Sequence, residues 1–159
     1  MLEARELSKR YRGITAIQNV SFCLEAGKIV GYVGPNGSGK STTVKILTGL
    51  LEPNEGKVLF EGRNIRDGLE SYRAAFGYVP EEAYVYTHLS GLEYLQLVGR
   101  LRGMDERLIT LKTKRLLSLL GLEPLRHSPI SLYSKGMKQK VLIAAALLQA
   151  GPAAGPGGT

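Results

Sequence analysis

Along the first half of the chain, apolar residues come in short runs of strand length. Leu2–Leu7, parts of Ile14–Leu24, and Ile29–Val33 read as strands, with Glu25-Ala26-Gly27-Lys28 as a turn between the last two. After the turn cluster Glu52-Pro53-Asn54-Glu55-Gly56, the run Lys57-Val58-Leu59-Phe60-Glu61-Gly62 reads as another strand. Ala74 to Pro80 reads as a buried strand stopped by its proline. A helix from about Ser41 to Leu50 lies between these strands. The period then changes. Residues 90–101 fit a helix with Leu92, Leu95 and Leu101 among its apolar positions and Ser90 as N-cap. Asp105 to Leu120 fits a second, with Leu108, Leu111, Leu116, Leu119 and Leu120 grouped for one face and Gly121 as its C-cap. Ser134 to Gln149 fits a third, apolar at Met137, Val141, Leu142, Ala145 and Leu148. The switch in period sets a helical subdomain at about residues 85–135 within a domain spanning 1–149. Residues 150–159 are Ala, Gly, Pro and Thr alone, a composition that buries little and is expected to be disordered.

One stretch carries chemistry on its own. Gly34-Pro35-Asn36-Gly37-Ser38-Gly39-Lys40-Ser41 is a complete G-x-x-x-x-G-K-[ST] phosphate-binding loop. Glycines let backbone N–H groups curl around phosphate oxygens without a Cβ in the way. Lys40 reaches β- and γ-phosphates as a compact cation, and Ser41 offers a hydroxyl to Mg²⁺. The helix that follows, opening with Thr42, presents its positive dipole end to the anion. The β-branched run just before the loop supplies the strand such a loop demands. The four fixed positions co-occur by luck in roughly one chain per hundred or fewer.

Composition narrows the class. A chain of 159 residues with 43% hydrophobic and 22% charged residues builds one soluble domain with a real core. The start carries acids and no apolar signal core, and the longest late apolar run, Val141 to Leu148, is far short of a membrane span. Cys23 is the only cysteine, which excludes a disulfide framework and reads as a small core residue. These features point to a cytoplasmic protein. The formal charge of +7 is scattered, without zinc spacing, aromatic RNA-binding motifs or a long basic run, so no direct nucleic-acid binding is expected.

The chain resembles an ATP-binding-cassette (ABC) ATPase to about residue 149. The likeness rests on Leu7-Ser8-Lys9-Arg10-Tyr11 with Ala16 to Phe22, the phosphate loop, Gly77-Tyr78-Val79-Pro80-Glu81-Glu82, and Leu132-Tyr133-Ser134-Lys135-Gly136-Met137-Lys138-Gln139-Lys140. The last segment is similar to the family signature in the form common among ABC-2-type exporters. The resemblance implies an α/β phosphate-loop core with an antiparallel β subdomain and a helical subdomain. It implies ATP and Mg²⁺ as ligands, a second ATPase subunit, and a membrane-spanning permease that holds the protein at the inner face of the membrane. Tyr11 falls where the family stacks an aromatic on adenine; an ordinary strand-end tyrosine is the alternative. Ser134, Lys135, Gly136 and Met137 fall where the family reaches a partner's γ-phosphate, and Ser134 also reads as an N-cap. Glu81 occupies the Q-loop glutamine position, either as a Mg²⁺ or water-orienting group or as an exposed loop acid. His88 and His127 match no catalytic position and read as surface or helix-boundary residues.

In the family an apolar strand ending in Asp-Glu follows, and then a histidine. No Asp or Glu follows Glu123 here, and no His follows His127. The chain therefore reads as truncated before that strand and hydrolysis-impaired as given, with no confident catalytic residue. Its isolated form is expected to be marginally stable or aggregation-prone, with an exposed apolar sheet edge. The tail's composition resembles out-of-frame translation of GC-rich DNA. Two other readings stay open: a non-catalytic nucleotide-binding or dimerisation fragment, and a soluble ABC-type ATPase acting on nucleic acid or the ribosome. The transported substrate is not legible.

Overall fold

The computed structural model describes residues 1–149. The tail read as disordered lies outside them. The chain divides into two compact units, one from Met1 to Arg73 and one from Ala74 onward.

The first unit is built on an antiparallel sheet. β1 (Leu2–Tyr11) pairs with β2 (Ile14–Leu24) on one side and β3 (Glu55–Phe60) on the other, and β4 (Arg63–Asn64) closes the order β2-β1-β3-β4. β1 and β2 are joined by Arg12-Gly13, both at positive φ, so that Tyr11 pairs directly with Ile14. Positive φ at both central positions is the tight hairpin turn that matches strand twist. Leu2 faces Leu24 and Phe60 on its two flanks. Ala4 and Leu7 both bury, with Ile17, Val58 and Leu59, although they are three residues apart. The register breaks between them, where Glu6 takes a positive φ of 51°, and this lets both face inward. Before the break β1 alternates, so that Ala4 faces in and Glu3 faces out. The same alternation turns Cys23 outward. It is exposed, opposite Glu3, and not the core residue expected from its apolar neighbours.

α1 (Lys40–Leu47) contributes Ile46 and Thr43 to the buried interior. A short helix missed in the sequence, α2 (Leu69–Ala74), is tied to the end of α1. Tyr72 packs edge-on against Phe60 and donates its hydroxyl to the Leu47 carbonyl. Burial pushes the Tyr72 phenol up to about 12. Arg73 donates to the Gly49 carbonyl at 2.6 Å.

Two expected strands are absent. Ile29–Val33 and Ala74–Pro80 form no ladder with any described strand, and Ala74 instead ends α2. A strand is defined by ladder pairing, and an apolar run outside a ladder is not one. In consequence Ile29 and Val33 are almost fully exposed.

The second unit is helical. α3 (Gly91–Leu101) opens on a capping box in which Ser90 accepts from the Glu93 N–H while Glu93 accepts from the Ser90 N–H and hydroxyl. α4 (Glu106–Leu119) is capped by Asp105, which accepts from the N–H groups of Arg107 and Leu108. It ends with Gly121 and Leu122 donating to Ser118 and Leu117, the paired bonds of a Schellman stop. α5 (Lys135–Gln149) completes the unit. Leu95, Leu117, Leu122, Ile130, Tyr133 and Val141 form its core, and the Tyr133 hydroxyl donates to the Leu125 carbonyl at 2.7 Å.

α4 buries a different face from the expected one. Ile109, Thr113 and Leu117 point inward at four-residue spacing, and Leu116 and Leu120 are half-buried. Leu108, Leu111 and Leu119 are exposed, as is Leu101 at the end of α3.

Candidate nucleotide-binding site

The site is the start of α1. Gly39 is its N-cap at φ 83°, a left-handed conformation that only glycine adopts cheaply. The loop cannot open outward there either. A Cβ on Gly39 would lie 2.5 Å from the Ala16 carbonyl oxygen and 2.3 Å from Ile17 Cγ2. β2 thus seats the loop through Ala16 and Ile17, a role the sequence pattern does not reveal, because neither residue belongs to a loop motif.

No side chain caps α1, and no acid lies in its first turn. The first N–H groups of a helix have no acceptor within it, so they remain as donors aimed off its end. Thr43 opens the ladder by donating to the Gly39 carbonyl at 2.8 Å. Upstream, Ser38 N–H donates to Pro35 at 3.3 Å, curling Gly34–Ser38 into a ring. Lys40 bends back over this ring. Its Nζ donates to the carbonyls of Gly34 and Pro35, both at 2.7 Å. Asn36, Gly37, Ser38 and Ser41 are exposed around it, and Thr42 is half-buried. An ammonium, a glycine ring and an uncapped helix start make a concentrated anion cradle. A groove of about 770 Å³ lined by Arg5, Cys23 and Lys57 shares no residue with this loop.

Tyr11 belongs to the same unit. Its ring is 44% exposed at the end of β1, with Lys9 Nζ 5.7 Å from the ring centroid. Its partner Ile14 lies two residues along β2 from Ala16, a strand distance of about 7 Å. The same strand therefore connects the exposed ring to the seat of the loop.

The remaining candidates lie in the second unit. Ser134 precedes α5, accepts from the Met137 N–H at 3.2 Å, and has its carbonyl bonded by Lys138 N–H at 2.9 Å. It is thus the cap of a helix whose first turn holds Lys135 and no acid. Ser134, Lys135 and Gly136 are exposed, and Met137 packs against the core. Glu81 is exposed in the irregular stretch after α2, one residue past Pro80, whose carbonyl lies 3.5 Å from Gln139 Nε2. His88 and His127 are exposed.

Comparison with known proteins gives one consistent answer. A family model described as ABC transporter matches residues 17–153. The ABC-type transporter ATP-binding protein EcsA of Bacillus subtilis is 37% identical over 149 residues, covering 93% of this chain and 60% of EcsA. The lantibiotic transport ATP-binding protein SrtF of Streptococcus pyogenes is 36% identical over 149 residues, covering 93% and 62%. A dimeric ATP-binding cassette, MJ0796, solved in a post-hydrolysis state with ADP and Pi, superposes with a TM-score of 0.83 at 28% identity, covering 94% of this chain and 70% of the other. The chain spans about three fifths of the length of these two curated relatives. Its fold is the α/β phosphate-loop fold of ABC ATPase domains. With the phosphate loop and the Ser134–Met137 segment both inside the matched region, the chain belongs to the ABC transporter family.

Proposed function

We propose that this chain is the ATP-binding part of an ABC transporter subunit, coupling ATP binding and hydrolysis to export through a separate membrane permease. The observation that carries this is the uncapped, acid-free start of α1 behind the glycine ring, with Lys40 folded over it. The donor set fits a nucleotide triphosphate with Mg²⁺. The free N–H groups at the start of α1 and in the glycine loop would hold phosphate oxygens, the Lys40 ammonium would supply a cation to the β- and γ-phosphates, and the Ser41 hydroxyl would be a ligand for the metal. Bound Mg²⁺ supplies charge neutralisation for phosphoryl transfer. Tyr11 stacks on adenine, which needs only an accessible ring face. Glu81 is a candidate for orienting Mg²⁺ or water.

Ser134, Lys135, Gly136 and Met137 form a second cradle that acts in trans, on the nucleotide held by another ATPase subunit. The acid-free first turn of α5 supports this, and MJ0796 is described as a dimer with ADP and Pi. Export direction draws support from the S-K-G-M-K-Q form and from SrtF, which is named for lantibiotic transport. In this reading the subunit works at the inner membrane face. Among the described residues no helix is long and apolar enough to cross a membrane, so the permease provides the path.

Residues 1–159 contain no match to the family's metal-orienting Asp, water-polarising Glu or sensor His. The polypeptide therefore binds Mg·ATP and turns it over slowly. Phosphate release from saturating Mg·ATP checks both parts. Saturable binding with turnover below about 1 per second is expected. Faster multiple turnovers would refute the slow-turnover claim, and absence of binding would refute the nucleotide reading.

A further inference from the structure

The outer face of α4 has no function in the nucleotide reading and is unusual in its make-up. At 100° per residue, Leu108, Leu111, Arg115 and Leu119 fall within an arc of about 80°, on the side away from Ile109, Thr113 and Leu117. The three leucines are 40%, 67% and 73% exposed. Arg107 and Lys114, also exposed, continue the same arc beyond Leu111. The acids that open α4 do not neutralise this face. Asp105 caps the helix, and Glu106 is held by Arg100 at 2.6 Å. Lys112 is not part of the face; its Nζ donates to the Leu148 carbonyl at 3.1 Å. Apart from the exposed Ser118, what remains on this side is leucine and positive charge that forms no ion pair with a described residue.

A helix surface of this composition is suited to the boundary of an anionic bilayer. Leucines enter the acyl boundary while Lys and Arg stay at the headgroups. A protein groove would need acids to meet Arg107, Lys114 and Arg115, whereas an anionic headgroup layer meets all three wherever they lie. We infer that α4 is a membrane-surface contact, laying Leu108, Leu111 and Leu119 into an anionic lipid leaflet. The contact is peripheral, and it does not depend on the nucleotide site.

Flotation of the full 159-residue chain tests this, since aggregated protein sinks while lipid-bound protein rises. Vesicles of mixed phosphatidylglycerol and phosphatidylcholine are compared with phosphatidylcholine alone. The chain is expected to float with the anionic vesicles only, and less at high salt. Lys114→Gln with Arg115→Gln should weaken binding about fivefold per cation removed. Leu111→Gln with Leu119→Gln should weaken it about tenfold or more, with an unchanged far-ultraviolet spectrum. Lys57→Gln, a cation of the first unit, should have no effect. Equal flotation with neutral vesicles, or equal losses from Lys57→Gln and the α4 variants, would overturn the inference. So would no flotation at all, which would leave a protein partner or a second copy as the occupant of this face. If the leucine variant fails to fold, the charge variant alone decides.

Discussion

Gly39 lies against Ala16 so closely that a Cβ would come within 2.5 Å of the Ala16 carbonyl oxygen. The close approach and the φ of 83° make this position doubly specific for glycine. Gly39→Ala is expected to lower stability by about 1–3 kcal/mol from the backbone conformation alone. It should also displace the loop from β2 and weaken Mg·ATP binding. A thermal melt and a nucleotide titration of the variant check the two effects. An unchanged affinity would mean that the seat on Ala16 does not shape the cradle.

The Ser90–Glu93 box should give α3 a pH-dependent start. Hydrogen bonds from the Ser90 hydroxyl and backbone hold the Glu93 carboxyl below its ordinary value, with His127 and His88 adding a smaller pull. A lowered folded pKa contributes stability above the unfolded value, and that stability is lost as pH falls through the folded one. Ser90→Ala is expected to cost about 1 kcal/mol at neutral pH. The gap between wild type and variant should narrow in acid, as Glu93 takes up its proton. Denaturant melts across the acidic range measure this, and a constant gap would contradict it.

Gly99, inside α3, reverses an ordinary rule. Replacing a mid-helix glycine with alanine usually gains up to about 1 kcal/mol. Here the added Cβ would meet Ile109 at 2.7 Å from Cγ1 and 3.0 Å from Cδ1. Overpacking of this kind costs about 1–3 kcal/mol. Gly99→Ala should therefore destabilise the helical unit, whereas in an Ile109→Ala background, itself destabilised by loss of a buried side chain, the same substitution should cost less or become favourable. Stabilisation by Gly99→Ala alone would show that α3 and α4 do not pack this closely.

What was legible in the sequence was what is local. The Ser90 cap and the Gly121 stop are each decided by a few neighbouring residues. Ile29–Val33 was misread because a β-branched apolar run becomes a strand only within a ladder, and Ala74–Pro80 was misread in part because Ala74 ends α2. The face of α4 was misread because leucines were counted. The buried row instead runs Ile109, Thr113, Leu117, with a threonine at its centre that conceals the spacing. α2 was invisible at six residues, and its stability comes from Tyr72 and Arg73 reaching the end of α1. For the candidate site, the sequence motif marks residues 34–41 but does not show that Gly39 lies against Ala16.

The exposed run Ile29, Val30, Tyr32 and Val33 sets apolar side chains beside backbone that joins no ladder among the described residues. Such a segment templates intermolecular strand pairing. The 159-residue polypeptide is expected to self-associate with rising concentration, and Ile29→Lys with Val33→Lys should reduce this without lowering the melting temperature. Light scattering against concentration measures it. A monomer with a sharp cooperative melt and no scattering would contradict the expectation.

The central claim is that residues 34–41 hold the phosphates of Mg·ATP, with Lys40 as the mobile cation of the cradle. Isothermal titration calorimetry of Mg·ATP into wild type and Lys40→Ala tests it most directly. Lys40 donates only to the Gly34 and Pro35 carbonyls within its own loop, so its removal should change the fold little. A charge-assisted hydrogen bond of about 1.5–3 kcal/mol corresponds to roughly a tenfold to hundredfold loss in affinity. The account predicts saturable one-to-one binding that needs Mg²⁺ and falls by that factor in Lys40→Ala. Equal affinity in the two proteins, or no binding in the wild type, would contradict it.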